Sequence, residues 1–245
     1  MKKKSINNWY RLLMLLPFFL NTQVATAQLF GGSLKSNKKV FIGGTFNGFT
    51  YNLVTSATGE VWLDRNLGAT QVATSSTDHL SYGSLYQWGR GTDGHQLINW
   101  TGSTTGTPVN GTTTTLSSID TPGNSNFILA PNTPFDWRSG QNASLWQGVN
   151  GTNNPCPTGF RLPTETEWNA EIVSYGIYMA GSSTPLKLPL PRYRKGSDGS
   201  LNNFRGYWSS TISSTSAMLL GFDGSIAGMG PNTRGDGFSV RCIKD

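Results

Sequence analysis

The chain has 245 residues, enough for one or two domains with a sizeable core. Its formal charge of +6 is concentrated at the start: residues 1–27 hold Lys2, Lys3, Lys4 and Arg11 and no acid, which leaves +2 over 28–245 and −1 from Val40 onward. A nucleic-acid binder needs a basic face on its folded body, so this balance excludes nucleic acid as a partner.

Charged residues make up 13% of the chain, about half the usual share. Gly, Ser, Thr and Asn are abundant, a composition that favours turns and short strands over long helices. Residues 1–27 read as an export signal: a basic stretch at Lys2–Lys4, a short apolar run from Leu12 to Leu20, and Ala25-Thr26-Ala27 as the cleavage pattern, leaving Gln28 first. The apolar run is too short to cross roughly 30 Å of hydrocarbon, and no later stretch is apolar enough to span a membrane. The expected product is exported, to the periplasm, the cell surface or the medium.

Export changes the reading of Cys156 and Cys242, the two cysteines of the chain. In an oxidising compartment they suggest one disulfide. It would enclose about 86 residues and add about 4–5 kcal/mol in the chain-entropy treatment. Two lone thiols make no zinc site. His79 and His95 lack ligand spacing and read as surface or loop residues, so neither a metal nor a cofactor is implied.

Residues 28–50 read as a spacer or first hairpin, and a compact body is expected over 51–245. Glu60–Asp64 is a short strand between Gly59 and the Asn66–Gly68 turn. Residues 99–126, rich in Thr, Gly, Ser and Asn, read as a long surface loop. A helix start follows at Thr164: the spacing Thr164-x-x-Glu167 is a capping box, Trp168, Ile172 and Tyr175 form one apolar stripe, and Gly176 ends the helix. Capping accounts for Glu165 and Glu167 more simply than acid–base chemistry does. Strands then follow at Gly206–Ser210, Ala217–Phe222, Ser225–Met229 and Gly237–Ile243, with Asp223-Gly224 as a hairpin turn. Alternation puts Met218, Leu220 and Phe222 on one face and Ala217, Leu219 and Gly221 on the other. Phe238, Val240 and Cys242 share a face, which turns Cys242 inward towards Cys156.

Five motifs then stand in order: Val61-Trp62-Leu63-Asp64-Arg65-Asn66-Leu67-Gly68; Tyr82-Gly83-Ser84-Leu85-Tyr86-Gln87-Trp88-Gly89; Asn154-Pro155-Cys156-Pro157-Thr158-Gly159-Phe160-Arg161-Leu162-Pro163-Thr164 with Glu167-Trp168; Tyr207-Trp208-Ser209-Ser210; and Ser239-Val240-Arg241-Cys242-Ile243-Lys244-Asp245. Together they resemble the Fibrobacter succinogenes major paralogous domain, over about residues 51–245. The resemblance implies an α+β, C-type-lectin-like fold: a small twisted antiparallel sheet, one or two helices, long loops and termini close together. It implies that Cys156 and Cys242 pair, and that Trp62, Trp88, Trp168 and Trp208 are framework positions. It implies no activity. The Glu-Pro-Asn, Gln-Pro-Asp and Trp-Asn-Asp strings of calcium-dependent sugar-binding lectins are missing, as are the close-set cysteines of formylglycine-generating enzymes.

No Gly-x-Ser-x-Gly elbow or triad pattern occurs, so no catalytic residue is assigned and the chain is read as a non-enzyme. The expected function is an exported adhesion or ligand-binding module whose partner is a glycan or a protein. Trp100, Trp137 and Trp146, in polar loop-like surroundings, are candidates for exposed sugar platforms. The C-terminal pattern also resembles the variable proteins of diversity-generating retroelements, whose hypervariable window would correspond to about 202–234. There the outward positions are expected to be Ser216, Leu219, Gly221, Ile226 and Gly228, with Asn202, Asn203, Ser213, Asn232 and Thr233 in loops. An ordinary exposed surface is the plainer reading of that window, and a structural envelope protein is the third alternative.

Overall fold

The computed structural model describes residues 39–176, 183–223 and 226–245. The export signal read over 1–27 lies outside the described residues, as does Gly224 of the expected Asp223-Gly224 turn. The described chain is mostly short antiparallel strands, with one α-helix and one disulfide.

The described body begins at Lys39. Strands β1 (Gly44–Phe46) and β2 (Phe49–Tyr51) pair as a hairpin that crosses the boundary expected at Tyr51. Asn47 and Gly48 both take positive φ, as a tight two-residue hairpin turn requires. Phe41, Phe46 and Phe49 pack against the main core. Next come β3 (Leu53–Thr55) and β4 (Val61–Leu63), then β5 (Tyr86–Gln87). The segment expected as a long surface loop holds the hairpin β6 (Ile98–Trp100) with β7 (Gly106–Pro108). Beyond it, β8 (Thr112–Thr113) pairs in parallel with β9 (Phe127–Ile128).

After β10 (Phe160–Arg161) the helix α1 spans Glu165–Tyr175. Its start is the expected capping box: Thr164 Oγ1 accepts from the Glu167 N–H at 3.2 Å, and the Glu167 carboxylate accepts from the Thr164 N–H at 2.7 Å. Gly176 follows the last turn with a positive φ. Trp168 is buried against Trp62 and Tyr207, while Ile172 and Tyr175 are half-buried. The stripe also buries Glu171, whose Oε1 accepts from the hydroxyls of Ser56 and Thr58 at 2.6 Å each.

The remaining strands are β11 (Tyr193–Arg194), β12 (Leu201–Asn202), β13 (Arg205–Ser213), β14 (Ser216–Asp223), β15 (Ile226–Asn232), β16 (Gly237–Phe238) and β17 (Ile243–Lys244). One sheet runs β10-β17-β4-β3, another β12-β11-β16-β5, and a third β13-β14-β15. The tail therefore lies beside the first strands of the body, with Ile243 opposite Trp62. The single C-terminal strand expected over 237–243 is split in two. Between the parts, Ser239 bridges to Tyr207, and the carbonyls of Val240 and Cys242 accept from Leu67 and Leu63. The tail thus ties one sheet to the next.

Cys156 and Cys242 are bonded, with their Cα atoms 5.9 Å apart. Phe238, Val240 and Cys242 are buried together, in one cluster with Cys156, Trp88, Trp146 and Trp208. A second cluster lies on the opposite face of β13–β15 and gathers Trp62, Trp168, Tyr207, Leu220 and Phe222. The central part of this sheet is therefore covered on both sides. That corrects the outward assignment of Leu219, which is 2% exposed beside Trp208 and Ala217.

Candidate functional site

The register of the third sheet builds a depression. Pairing sets Gly221 opposite Gly228, Leu219 opposite Gly230, and Asp223 opposite Ile226. These six positions, at period two, share one face. Where that face runs past Leu219, three glycines leave the sheet surface bare. A Cβ at Gly228 or Gly230 would meet nothing within 4 Å, whereas one at Gly221 would stand 3.0 Å from the Phe204 ring. The result is an open cleft of about 340 Å³ with Phe204 and Leu219 as one wall and Ile226, Pro231 and Asn232 at its rim. The lining is mainly apolar, and Phe204 and Ile226 are 45% and 47% exposed.

The sequence-predicted positions divide around this cleft. Leu219, Gly221, Ile226, Gly228 and Asn232 line it. Asn202 and Asn203, both exposed, lead into Phe204. Thr233 follows Asn232 and faces a neighbouring pocket. Ser213 and Ser216 pair with each other at the turn joining β13 and β14. They are about 17 Å along the strand from Gly221 at the usual rise per residue. Asn202, Ser213 and Asn232 end strands rather than lying in loops, because the pairings extend further than their polar side chains suggested. Phe204 was missed by the sequence reading. Its signal was an aromatic residue inside a polar Asn-Asn-Phe-Arg stretch.

Of the three tryptophans read as exposed platforms, two are not exposed. Trp137 and Trp146 are buried, and Trp100 is half-buried. Each indole N–H is satisfied by a backbone carbonyl: Trp100 by Gly83 at 2.7 Å, Trp137 by Trp88 at 2.7 Å, and Trp146 by Asn153 at 2.9 Å. These acceptors are backbone carbonyls 7 to 49 residues away in sequence, so a polar, loop-like stretch does not reveal that its indole is packed.

His95 is also buried, against expectation. Its Nε2 accepts from the Gln87 N–H at 3.1 Å, and its Nδ1 lies 2.6 Å from Asp93. That pattern requires a neutral ring with the proton on Nδ1. Burial pushes its pKa down to about 4, and the Arg90 charge adds to the effect against the pull of Asp93. Arg90 binds Asp93 and the carbonyls of Asn124 and Asn126, so this cluster clamps the end of the 99–126 segment. Two further buried guanidiniums are also solvated chiefly by carbonyls. Arg194 reaches the carbonyls of Gly199, His95 and Asn110, and Arg241 those of Leu63 and Leu186 together with Asn66 Oδ1. Burial lowers the pKa of each to about 10. These groups hold chain segments together and face no cavity described above.

Among the described residues no three His, Cys, Asp or Glu side chains converge as a metal site. None of the described helices is long and apolar enough to cross a membrane. Comparison of the chain with protein-family models, curated proteins and solved structures finds no match in any of the three.

Proposed function

We propose that this chain is an exported, non-catalytic binding module on a C-type-lectin-like scaffold, and that it takes its ligand at the cleft on β13–β15. The carrying observation is the bare, apolar-walled surface between Phe204 and Ile226. An exposed apolar depression on a disulfide-tied sheet is a common form of protein-docking surface. The lining favours an apolar side chain of a protein partner, held by Phe204 and Ile226. The buried disulfide supports an oxidising destination outside the cytoplasm. The resemblance to the Fibrobacter succinogenes major paralogous domain supports the same address.

A glycan ligand is the second reading, and a separate pocket beside Tyr193 that combines aromatic rings with Lys195, Ser197, Thr233 and Asp236 favours it. The variable-protein reading is an elaboration of the first, because the whole cleft lining falls within 202–234. A purely structural envelope role remains the contrasting alternative.

Two measurements test the proposal. Material recovered outside the cytoplasm should begin at Gln28; a product retained inside with its leader refutes export. Gly228→Trp should fill the cleft with little change in melting temperature, because nothing stands within 4 Å of a Cβ there. It should abolish retention of the chain on immobilised surface proteins of the producing cell. Retention unchanged by this substitution, or no retention by the unsubstituted chain, refutes the cleft as the ligand contact.

A further inference from the structure

A second depression lies across an aromatic pair from the cleft. Phe204 stands edge-on to Tyr193 at 6.2 Å, and Tyr193 stacks flat on the buried Phe238 at 4.9 Å. On the far side of Tyr193 is a pocket of about 170 Å³, lined also by Phe135, Lys195, Ser197, Thr233 and Asp236.

Three separate stretches of chain are pinned together around it. The Ala130 N–H donates to the Gly196 carbonyl at 2.8 Å, the Gly196 N–H to Asp236 Oδ1 at 2.6 Å, and the Gly235 N–H to the Phe135 carbonyl at 2.8 Å. The approach is close enough that a Cβ on Gly196 would sit 2.7 Å from the Gly235 backbone. Phe135 itself holds a positive φ of 59°, a conformation that costs a bulky residue energy, and the residue is still 39% exposed. The fold therefore spends local strain to present an apolar ring beside the pocket rather than to bury it.

The polar groups define the ligand chemistry. Asp236 Oδ2 accepts from Thr233 Oγ1 at 3.0 Å, so each of its oxygens has one donor and retains acceptor capacity towards the pocket. Lys195 Nζ, half exposed, is 3.1 Å from Asp198. An anionic ligand would meet the Asp236 carboxylate, the one acidic group of the lining. A cationic one would meet Lys195. A neutral ring carrying several hydroxyls meets neither penalty: its hydroxyls can donate to Asp236 and accept from Lys195 and Ser197, while its C–H face lies on an aromatic ring. The volume is well below the roughly 300 Å³ at which drug-sized sites begin, which suits one ring.

We propose that the pocket bounded by Phe135, Tyr193, Lys195 and Asp236 is a binding subsite for a single neutral pyranose ring, free or as one unit of a glycan. The subsite is distinct from the apolar cleft and stands whether or not a protein partner docks there.

The test uses the full chain and saturation-transfer NMR with glucose, galactose, mannose and N-acetylglucosamine, alongside glucuronic acid and glucosamine. At least one neutral sugar should bind with a millimolar dissociation constant and the charged pair more weakly. Phe135→Ala and Asp236→Asn should each weaken that binding at least tenfold. Because Asp236 also holds Gly196, the half-exposed Lys195→Ala serves as a second variant, with an expected loss of several-fold at an unchanged melting temperature. Phe204→Ala, on the cleft side, should leave the sugar bound. Saturable binding by no neutral sugar, equal or tighter binding of the charged sugars, or binding indifferent to both Phe135→Ala and Lys195→Ala overturns the subsite. Loss of sugar binding in Phe204→Ala alone would place the sugar in the cleft and overturn it as well.

Discussion

Replacing both Cys156 and Cys242 by alanine should destabilise the protein chiefly through its unfolded state. The bond closes a loop of 86 residues. In the chain-entropy treatment a loop of that length restricts the denatured chain by about 4.6 kcal/mol at 25 °C. The folded tail has other anchors. Ile243 pairs with Trp62, and the Arg161 guanidinium reaches Asp245 at 2.7 Å and Glu167 at 2.7 Å. The double variant should therefore still fold. For a domain of this size each kcal/mol moves the melting temperature by about 2–4 °C, so the expected fall is roughly 9–18 °C. Denaturant unfolding of the oxidised protein and the double variant measures it. The slope against denaturant should rise in the variant, because its unfolded chain is more expanded and exposes more surface. A fall below about 1 kcal/mol with an unchanged slope would refute the reasoning, since the tie would then restrict little. So would a variant that fails to fold, which would make the bond a condition of the native packing.

Thr164→Ala removes the acceptor for the Glu167 N–H and should cost about 1 kcal/mol in equilibrium unfolding; an unchanged midpoint would mean the cap contributes nothing. Acid should weaken the fold through His95. Its folded pKa lies below the unfolded value of 6.5, so the folded state resists protonation. Stability from this group is complete above pH 6.5 and declines as pH falls from 6.5 to about 4, by ~3 kcal/mol in all. The Asp93, Arg90 and Arg194 groups face it, and Asp93 keeps its own pKa low, so its loss comes later in the titration. Urea unfolding at closely spaced pH values reads the effect; no difference between pH 7 and pH 4.5 would contradict a buried neutral ring.

Features governed by neighbours in sequence were readable without a structure. The helix start needs only Thr164 and Glu167 three positions apart, because both hydrogen bonds of the box close within one turn. The β14 strand is legible in the apolar run Ala217–Phe222, and the pairing of Cys156 with Cys242 followed from there being no other cysteine. The face assignment of Leu219 failed because alternation tells which residues share a side, not whether another layer covers that side. Here both sides are covered, by the Trp208 cluster and by the Trp62–Trp168 cluster.

Burial of Trp137, Trp146 and His95 was equally beyond local reading. Their partners are carbonyls and an amide drawn from 7 to 49 residues away, and a polar stretch looks the same whether its polar groups face water or a buried ring. The candidate sites are tertiary products in the strict sense. Gly221, Gly228 and Gly230 form a bare surface only in the register that β14 and β15 adopt. Phe135 and Asp236, about a hundred positions apart, meet only because three loops are pinned at Gly196. Composition and short-range spacing determined the kinds of element in this protein and its covalent tie; long-range packing decided which side chains are inside and where a ligand has room.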